Sequence, residues 1–452
     1  MRRGPAGLAV VSALAGHRRV TRDELDAYQG RLLRRLVRHA YTQVPYYRML
    51  FDRHGLRPDA VRGLADLPLI PISAKDDLRR QRPAAVVARD RDPERLIPSG
   101  TSGSTGHPFT VRRTWLEQNL LHLFRLRALR QVGVRAGDRF ASIGRQRTPD
   151  RRDNKLIGRA LHALGIRRRA RFDIGLPAAE LAERMARLGP DVVSGYAGTL
   201  AHLAGHLLDR ADTRVRPRLV LTGAEVLTVA MRRLVEQAFA APVFDFYGSF
   251  EFDLLAWECP AGGPLHVCDD GLILEVLVDG RPAREGEAGE VVATNLHAYA
   301  MPFIRYRLGD LVTRGPAACP CGSPFSTIRE VRGRMVDHLL LPDGRTIHPY
   351  QLSWPLIRKS GLPIRQHQLV QERPDRIVMR VVMGPEWPSG RIPPVPAEVS
   401  ELLGRGVEFR VEPVEEIRCE PSGKYRVARS LVRSAYDEPA HEAAPGEGSR
   451  AG

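Results

Sequence analysis

The chain has 452 residues, 43% of them hydrophobic and 27% charged, with a formal net charge of +17. That length exceeds a usual single domain and points to one large domain plus a smaller one, and no run approaches the eighteen or so apolar residues of a membrane span. The basic excess is arginine, 65 residues against only four lysines (Lys75, Lys155, Lys359 and Lys424). It is scattered, and no helix-turn-helix, zinc-finger or RNA-recognition pattern accompanies it. Coding bias and anionic small molecules therefore explain it better than nucleic acid does.

The opening residues Met1-Arg2-Arg3, followed by Gly7 to Ala15, resemble a signal peptide only faintly, because the apolar run is short. Five cysteines, an odd number in a large chain, do not suggest a disulfide framework, and the expected compartment is cytoplasmic. Thr21-Arg22-Asp23-Glu24 is a capping box that opens a helix with Leu25, Tyr28, Leu32, Leu36, Val37 and Ala40 on one face. Val44-Pro45 ends it. Leu67 to Ile72 reads as extended and proline-broken, and Ser73 with Asp76 as the cap of the next turn. Thr114 to Arg130 is predicted helical, with Trp115, Leu116, Leu120, Leu123, Phe124 and Leu126 as its apolar positions.

Strands are predicted at 140–144, 191–196, 219–225 and 242–248, with helices at 178–188, 199–209 and 228–239. This alternation means an α/β layered sheet, in which ligands sit beyond the C-terminal strand ends. Those ends are Ser194-Gly195-Tyr196, Gly223-Ala224-Glu225 and Tyr247-Gly248. From 271 onward the texture changes to short β segments at 272–277, 289–295, 303–306, 311–312 and 339–341. A small α+β domain follows, with strands at 366–370, 376–382 and 407–411. Residues 437 to 452 read as a disordered tail.

The richest stretch is Ser99-Gly100-Thr101-Ser102-Gly103-Ser104-Thr105-Gly106-His107-Pro108. Its glycines and hydroxyls permit tight turns with backbone N–H and side-chain O–H donors aimed at an anion. Leu96-Ile97 before it and Phe109-Thr110-Val111 after it make it a hairpin-like turn between short strands. It is not a Walker A loop, since that spacing is absent and no lysine stands near.

Taken in order, these stretches resemble the adenylate-forming enzymes, and within them the phenylacetate–CoA ligase and capsule-biosynthesis-type branch, from about residue 20 to 432. Residues 101–108 resemble the phosphate-gripping S-S-G-T-T-G-K-P, with His107 in place of the lysine. Gly223-Ala224-Glu225 is similar to the G-A-E turn that lies against adenine. Tyr247-Gly248-Ser249-Phe250-Glu251 is similar to Y-G-x-x-E, which implies a tyrosine stacked on adenine and a glutamate that helps hold Mg²⁺. Arg305 to Asp310 resembles R-Y-R-T-G-D, whose aspartate takes the ribose hydroxyls; Leu308 replaces the threonine. Gly333-Arg334-Met335-Val336-Asp337 resembles G-R-x-D-D, an arginine for ribose and phosphate followed by a hinge at Val336 and Asp337. Pro421-Ser422-Gly423-Lys424 is similar to P-x-G-K, whose lysine reaches the carboxylate and α-phosphate.

The resemblance implies an α/β N-terminal adenylation domain at 1–335, a mobile α+β domain carrying Lys424 at 336–435, and a tail from 436. It implies ATP, Mg²⁺ and a small carboxylic acid as substrates or cofactors, acyl-AMP as intermediate and coenzyme A as acceptor. Transfer to an amine or another cofactor stays open. A non-catalytic polyanion-binding protein is the remote alternative, and the oligomeric state, a homodimer included, is undetermined. Arg145 and Arg147 are candidates for a second anionic group of the acid. Separately, the C-x-C turn Cys319-Pro320-Cys321, with Cys259 and His266 earlier, suits a structural Zn²⁺, Cys268 being a competing ligand and Cys419 standing apart.

Overall fold

The computed structural model describes residues 20–100, 109–144, 169–173, 176–334, 339–343, 345–347, 349, 352–353, 356, 364–383, 392, 394–417 and 428–432. They fall into two compact units, one running through Gly333 and the other starting at Arg334.

The first unit opens with α1 (Arg22–Gln43), whose capping box is closed in both directions: Thr21 accepts from the Glu24 N–H, and Glu24 from the Thr21 N–H. Leu25, Tyr28, Leu33, Leu36, Val37 and Ala40 are buried along it. Val44 ends α1, and Pro45 starts a second helix, α2 (Pro45–Arg53), at the one position where its missing N–H costs nothing. The stretch expected to be extended instead contains a 3-10 turn, Leu64–Leu69. The Asp66 carboxylate gathers the N–H groups of Arg62 and Gly63, which tightens the chain there.

Ser73 is not a helix cap. It opens β1 (Ser73–Ala74), which pairs in parallel with a later strand, and its hydroxyl donates to the buried Ile304 carbonyl. Helix α3 (Lys75–Arg79) follows directly. The glycine-rich stretch is bracketed by β2 (Ile97–Gly100) and β3 (Thr110–Arg113), paired antiparallel with Gly100 opposite Thr110. Residues 101–108 themselves lie outside the described residues. Helix α4 (Trp115–Gln131) starts at a second closed capping box, Thr114 with Glu117. Of its expected apolar positions only Phe124 is buried, and Leu121 and Ala128 bury beside it; Trp115, Leu116, Leu123 and Leu126 are exposed among the described residues.

A parallel block follows: β4 (Phe140–Gly144), β5 (Arg169–Asp173), α5 (Ala178–Leu188), β6 (Val192–Gly195), α6 (Ala197–Asp209), β7 (Leu219–Gly223), α7 (Val229–Phe239) and β8 (Val243–Tyr247). The strands lie in the order β5-β4-β6-β7-β8, and Val192, Val193, Leu219 and Val220 are almost fully buried. Such two-faced burial is why these strands read as continuous apolar runs. Each large aliphatic side chain buried this way contributes about 1.5–3 kcal/mol.

Beyond β8 the sheet turns antiparallel through β9 (Ala256–Glu258), β10 (Leu265–Val267), β11 (Leu272–Val278), β12 (Arg281–Pro282), β13 (Ala288–Asn295), β14 (Tyr306–Arg314) and β15 (Thr327–Arg334). The strand expected at 303–306 starts only at Tyr306. Arg305 has a φ of 40°, which breaks the ladder, while its guanidinium forks onto Glu275 and donates to the Ile70 carbonyl.

The second unit holds a short ladder of β16 (Leu339–Leu340) with β17 (Thr346–Ile347) and a four-stranded sheet. The sheet has the antiparallel hairpin β18 (Ile364–Arg373) and β19 (Arg376–Met383) at its centre, flanked by β20 (Glu408–Pro413) and β21 (Ala428–Ser430). Helix α8 (Ala397–Leu403) buries Val399 and Leu403 in the same core as Leu369, Ile377 and Met379. The whole is the mixed α/β architecture expected, a large sheet with a smaller sheet domain after it. Among the described residues no helix is long and apolar enough to cross a membrane.

Candidate functional site

Three neighbouring parallel strands end side by side, as their register requires: Gly195 pairs with Thr222, and Gly223 with Phe246. At the end of β7 a Cβ on Gly223 would lie 2.7 Å from the Phe246 carbonyl oxygen, so no side chain fits. Ala224 then adopts a φ of 64°, a left-handed conformation that a non-glycine residue holds at a cost. Glu225 turns back, and its carboxylate accepts from the Gly198 N–H at 2.8 Å. It caps α6, whose N-cap residue Tyr196 supplies no side-chain cap, and so ties two strand ends together.

At the end of β8, the Tyr247 hydroxyl donates to Asp310 Oδ2 at 2.7 Å. Asp310 reaches that point because β14 slips register against β13 between Glu290 and Val292, a bulge that pushes residues 308–310 out of the ladder. Gly309 takes a φ of 77° inside it.

The connection from β8 to β9 carries Ser249 and Glu251. Ser249 closes it, its carbonyl accepting from the Asp253 N–H at 2.8 Å, and a Cβ on Gly248 would meet the Asp253 carbonyl oxygen at 2.1 Å. Glu251 is 5% exposed. Its Oε1 accepts from the Tyr306 hydroxyl at 3.1 Å and lies 3.6 Å from Lys75 Nζ. Neither partner was singled out from the sequence. Lys75 carried a signal, as one of four lysines in an arginine-biased chain, but its partner stands far along the chain. Behind the site, Asp245 accepts from Thr222 Oγ1 at 2.7 Å, and burial, foremost, raises its carboxyl to about 6.

The structure thus brings together Gly223, Ala224 and Glu225, and separately joins Tyr247 to Asp310 and Glu251 to Tyr306 and Lys75. Arg334 ends β15, and its side chain is not among those described. Thr101, Ser102, Gly103, Ser104, Thr105, Gly106, Arg145, Arg147, Val336, Asp337 and Lys424 lie outside the described residues.

A second cluster forms where β9 turns into β10. The ligating atoms of Cys259, His266, Cys319 and Cys321 all lie within 4.8 Å of one another. Cys259 and Cys319 sulfurs are 3.7 Å apart, and Cys321 Sγ is 3.4 Å from His266 Nε2. Burial pushes the Cys319 thiol up to about 12. Burial also opposes ionisation of Cys259, yet backbone N–H groups of Ala261 and Gly263 and the neighbouring thiols bring it below the ordinary thiol range. Burial lowers His266 to about 4, with Arg127 adding to the effect. Cys268 is not part of the cluster: it is fully buried beside Asp270 and Arg127.

No family model matches the chain. It is 28% identical over 442 residues to a phenylacetate–coenzyme A ligase of Aromatoleum evansii, covering 93% of this chain and 96% of that one. The chain is similar to the phenylacetate–CoA ligases over nearly its whole length. The capsule-type likeness is also present, with 24% identity over 399 residues to the CapK protein of Staphylococcus aureus, 86% of this chain and 85% of that one. A crystal structure of a 2-hydroxyisobutyryl-CoA ligase in the postadenylation state shares the fold, with a TM-score of 0.70 over 90% of this chain and 89% of that chain at 20% identity.

Proposed function

We propose that the protein is an ATP-dependent acid ligase that adenylates a small carboxylic acid and passes the acyl group to coenzyme A. A carboxylate oxygen attacks the α-phosphorus, the bond to the bridging oxygen breaks, and pyrophosphate leaves with the electron pair. The thiol sulfur then attacks the acyl carbon, AMP departs, and the thiol proton is released. Such chemistry needs positioning and charge neutralisation more than covalent catalysis.

The observation that carries this reading is the 2.7 Å hydrogen bond from Tyr247 to Asp310, which sets a ring and a carboxylate from distant segments at the C-terminal end of a parallel strand. We assign Tyr247, Gly248, Ser249 and the Gly223-Ala224-Glu225 turn to adenine, Asp310 and Arg334 to ribose, and residues 101–106 to the phosphates. Glu251 is the carboxylate that would hold Mg²⁺: its buried oxygens suit a hard cation, which supplies charge neutralisation on the phosphates. Lys424 serves the carboxylate and α-phosphate from a domain at 336–435 that pivots at Val336 and Asp337, against an adenylation domain at 1–335. A cytoplasmic location fits these substrates.

The four-ligand cluster would hold Zn²⁺ in a structural role. Its 3.7 Å sulfur–sulfur spacing matches the roughly 3.8 Å edge of a tetrahedron with Zn–S bonds of about 2.3 Å, and four protein ligands leave no open position.

Mass spectrometry of reactions with MgATP, coenzyme A and a panel of aromatic and aliphatic acids tests the function. An acyl-CoA with stoichiometric AMP is expected. Acyl-AMP without thioester would move the acceptor to an amine or another cofactor.

A further inference from the structure

The turn that presents Glu251 is held from outside by two arginines that the assignments above leave unused. Arg113, the last residue of β3, is 4% exposed. Its Nη2 donates to the carbonyl of Phe250, the residue before Glu251. Its Nη1 reaches Gln118 at 3.4 Å, and its Nε has no hydrogen-bond partner among the described residues. The negative charges around it are those of Asp253, Glu251 and Glu117. A buried guanidinium with neither a carboxylate fork nor a full set of acceptors is costly, and its strong contact here is the backbone of the turn.

Arg125, from α4, holds the other end. It donates to both oxygens of Asp253, at 3.2 and 2.9 Å, and to the Asp253 carbonyl at 3.0 Å. Asn295 takes the Glu251 carbonyl at 3.3 Å. Three carbonyls of one short connection are therefore occupied by side chains from three other elements. The connection is bent far enough that Asp253 sits at a φ of 64°.

We propose that Arg113 is a positioning residue, linking the strand that leaves the glycine-rich stretch to the backbone that aims Glu251 at the divalent cation of the nucleotide substrate. The inference rests on the adenylation reading above. β3 carries both features: Thr110 lies opposite Gly100 at the mouth of the stretch, and Arg113 lies at the other end of the same four residues.

The test is Mn²⁺ binding, followed by the electron paramagnetic resonance of free Mn²⁺, to full-length protein with a non-hydrolysable ATP analogue. Wild type, Arg113→Gln and Arg113→Lys are compared, with thermal unfolding measured on each. Loss of one charge-assisted hydrogen bond predicts Mn²⁺ affinity about tenfold weaker in Arg113→Gln, with metal-free nucleotide affinity changed less than about twofold. Arg113→Lys recovers part of the loss, because lysine supplies a donor without the fork. Equal Mn²⁺ affinity in wild type and Arg113→Gln overturns the inference, as does an equal loss of metal-free nucleotide, which marks general loosening. If Arg113→Gln does not fold, Arg113→Lys decides: a weakening of about threefold or more supports the inference, and wild-type affinity overturns it. A wild type that binds neither the analogue nor its Mn²⁺ complex overturns the adenylation reading and this inference with it. Wild-type binding with unaltered variants overturns the inference alone.

Discussion

Two successive connections along the same strands are held shut by opposite means. The one from β8 to β9 is pinned by hydrogen bonds and charge from Arg113, Arg125, Asn295 and Tyr306, and leaves the Glu251 carboxylate 3.6 Å from Lys75 Nζ. The one from β9 to β10 gathers three thiols and an imidazole around a single point. The first arrangement is suited to exchange, since oxygen ligands and a lysine give way to an incoming ion. The second is suited to permanence, since thiolate and imidazole with no open position make a closed tetrahedral site. Changes in the first connection should therefore appear in chemistry, and changes in the second in stability.

The largest effect should come from Glu251→Gln, with adenylation falling about 10²–10³-fold while the thermal midpoint moves little. Lys424→Ala, measured beside it, should lose activity on the same scale with no change in midpoint. A midpoint that collapses with Glu251→Gln would erase the distinction between the two connections. Next comes Cys321→Ser: a loss of about 2–4 kcal/mol of stability is expected, with bound zinc falling in elemental analysis and adenylation per folded molecule within about threefold of wild type. Activity lost in proportion to zinc, at unchanged stability, would contradict the structural role.

Arg125→Gln should cost less, about 1–2 kcal/mol, because the pair it makes with Asp253 is partly exposed. Limited proteolysis should then find new cleavage between residues 248 and 255. The smallest effect is a pH dependence. Burial holds the Asp245 carboxyl at about 6, above its ordinary 3.8, so the folded state binds this proton more tightly than the unfolded one. Ionised Asp245 therefore costs stability above pH 6, and the cost is relieved as pH falls from about 7 towards 4, by at most about 3 kcal/mol. Comparing thermal midpoints of wild type and Asp245→Asn, the variant's relative advantage should shrink between pH 7 and pH 5. A constant difference would place the proton elsewhere.

The parallel half of the sheet was legible because strands buried on both faces read as apolar runs, with helices of clear period between them. The brackets of the glycine-rich stretch, the capping box at Thr21 and Glu24 and the three strand ends were legible for similar local reasons. What the residues alone could not give is set by partners far along the chain. Ser73 looks like a cap until Ile304 claims its hydroxyl, and Lys75 looks like one more surface cation until Glu251 stands 3.6 Å away. Phe303 and Ile304 look like strand until the left-handed Arg305 turns the backbone. Trp115, Leu116, Leu123 and Leu126 show that apolar identity does not ensure burial, since the packed face of α4 is the one with Leu121, Phe124 and Ala128. The Cys/His cluster was readable in part from its tight C-x-C turn, and the fold separates Cys268 from it by pairing that thiol with Asp270 and Arg127.

The most direct measurement of the central claim is pyrophosphate release from MgATP, across a panel of aromatic and aliphatic acids, with and without coenzyme A. The account predicts release that depends on at least one acid, with a thioester formed when coenzyme A is present. Folded, nucleotide-binding protein that releases no pyrophosphate with any acid of the panel would contradict it.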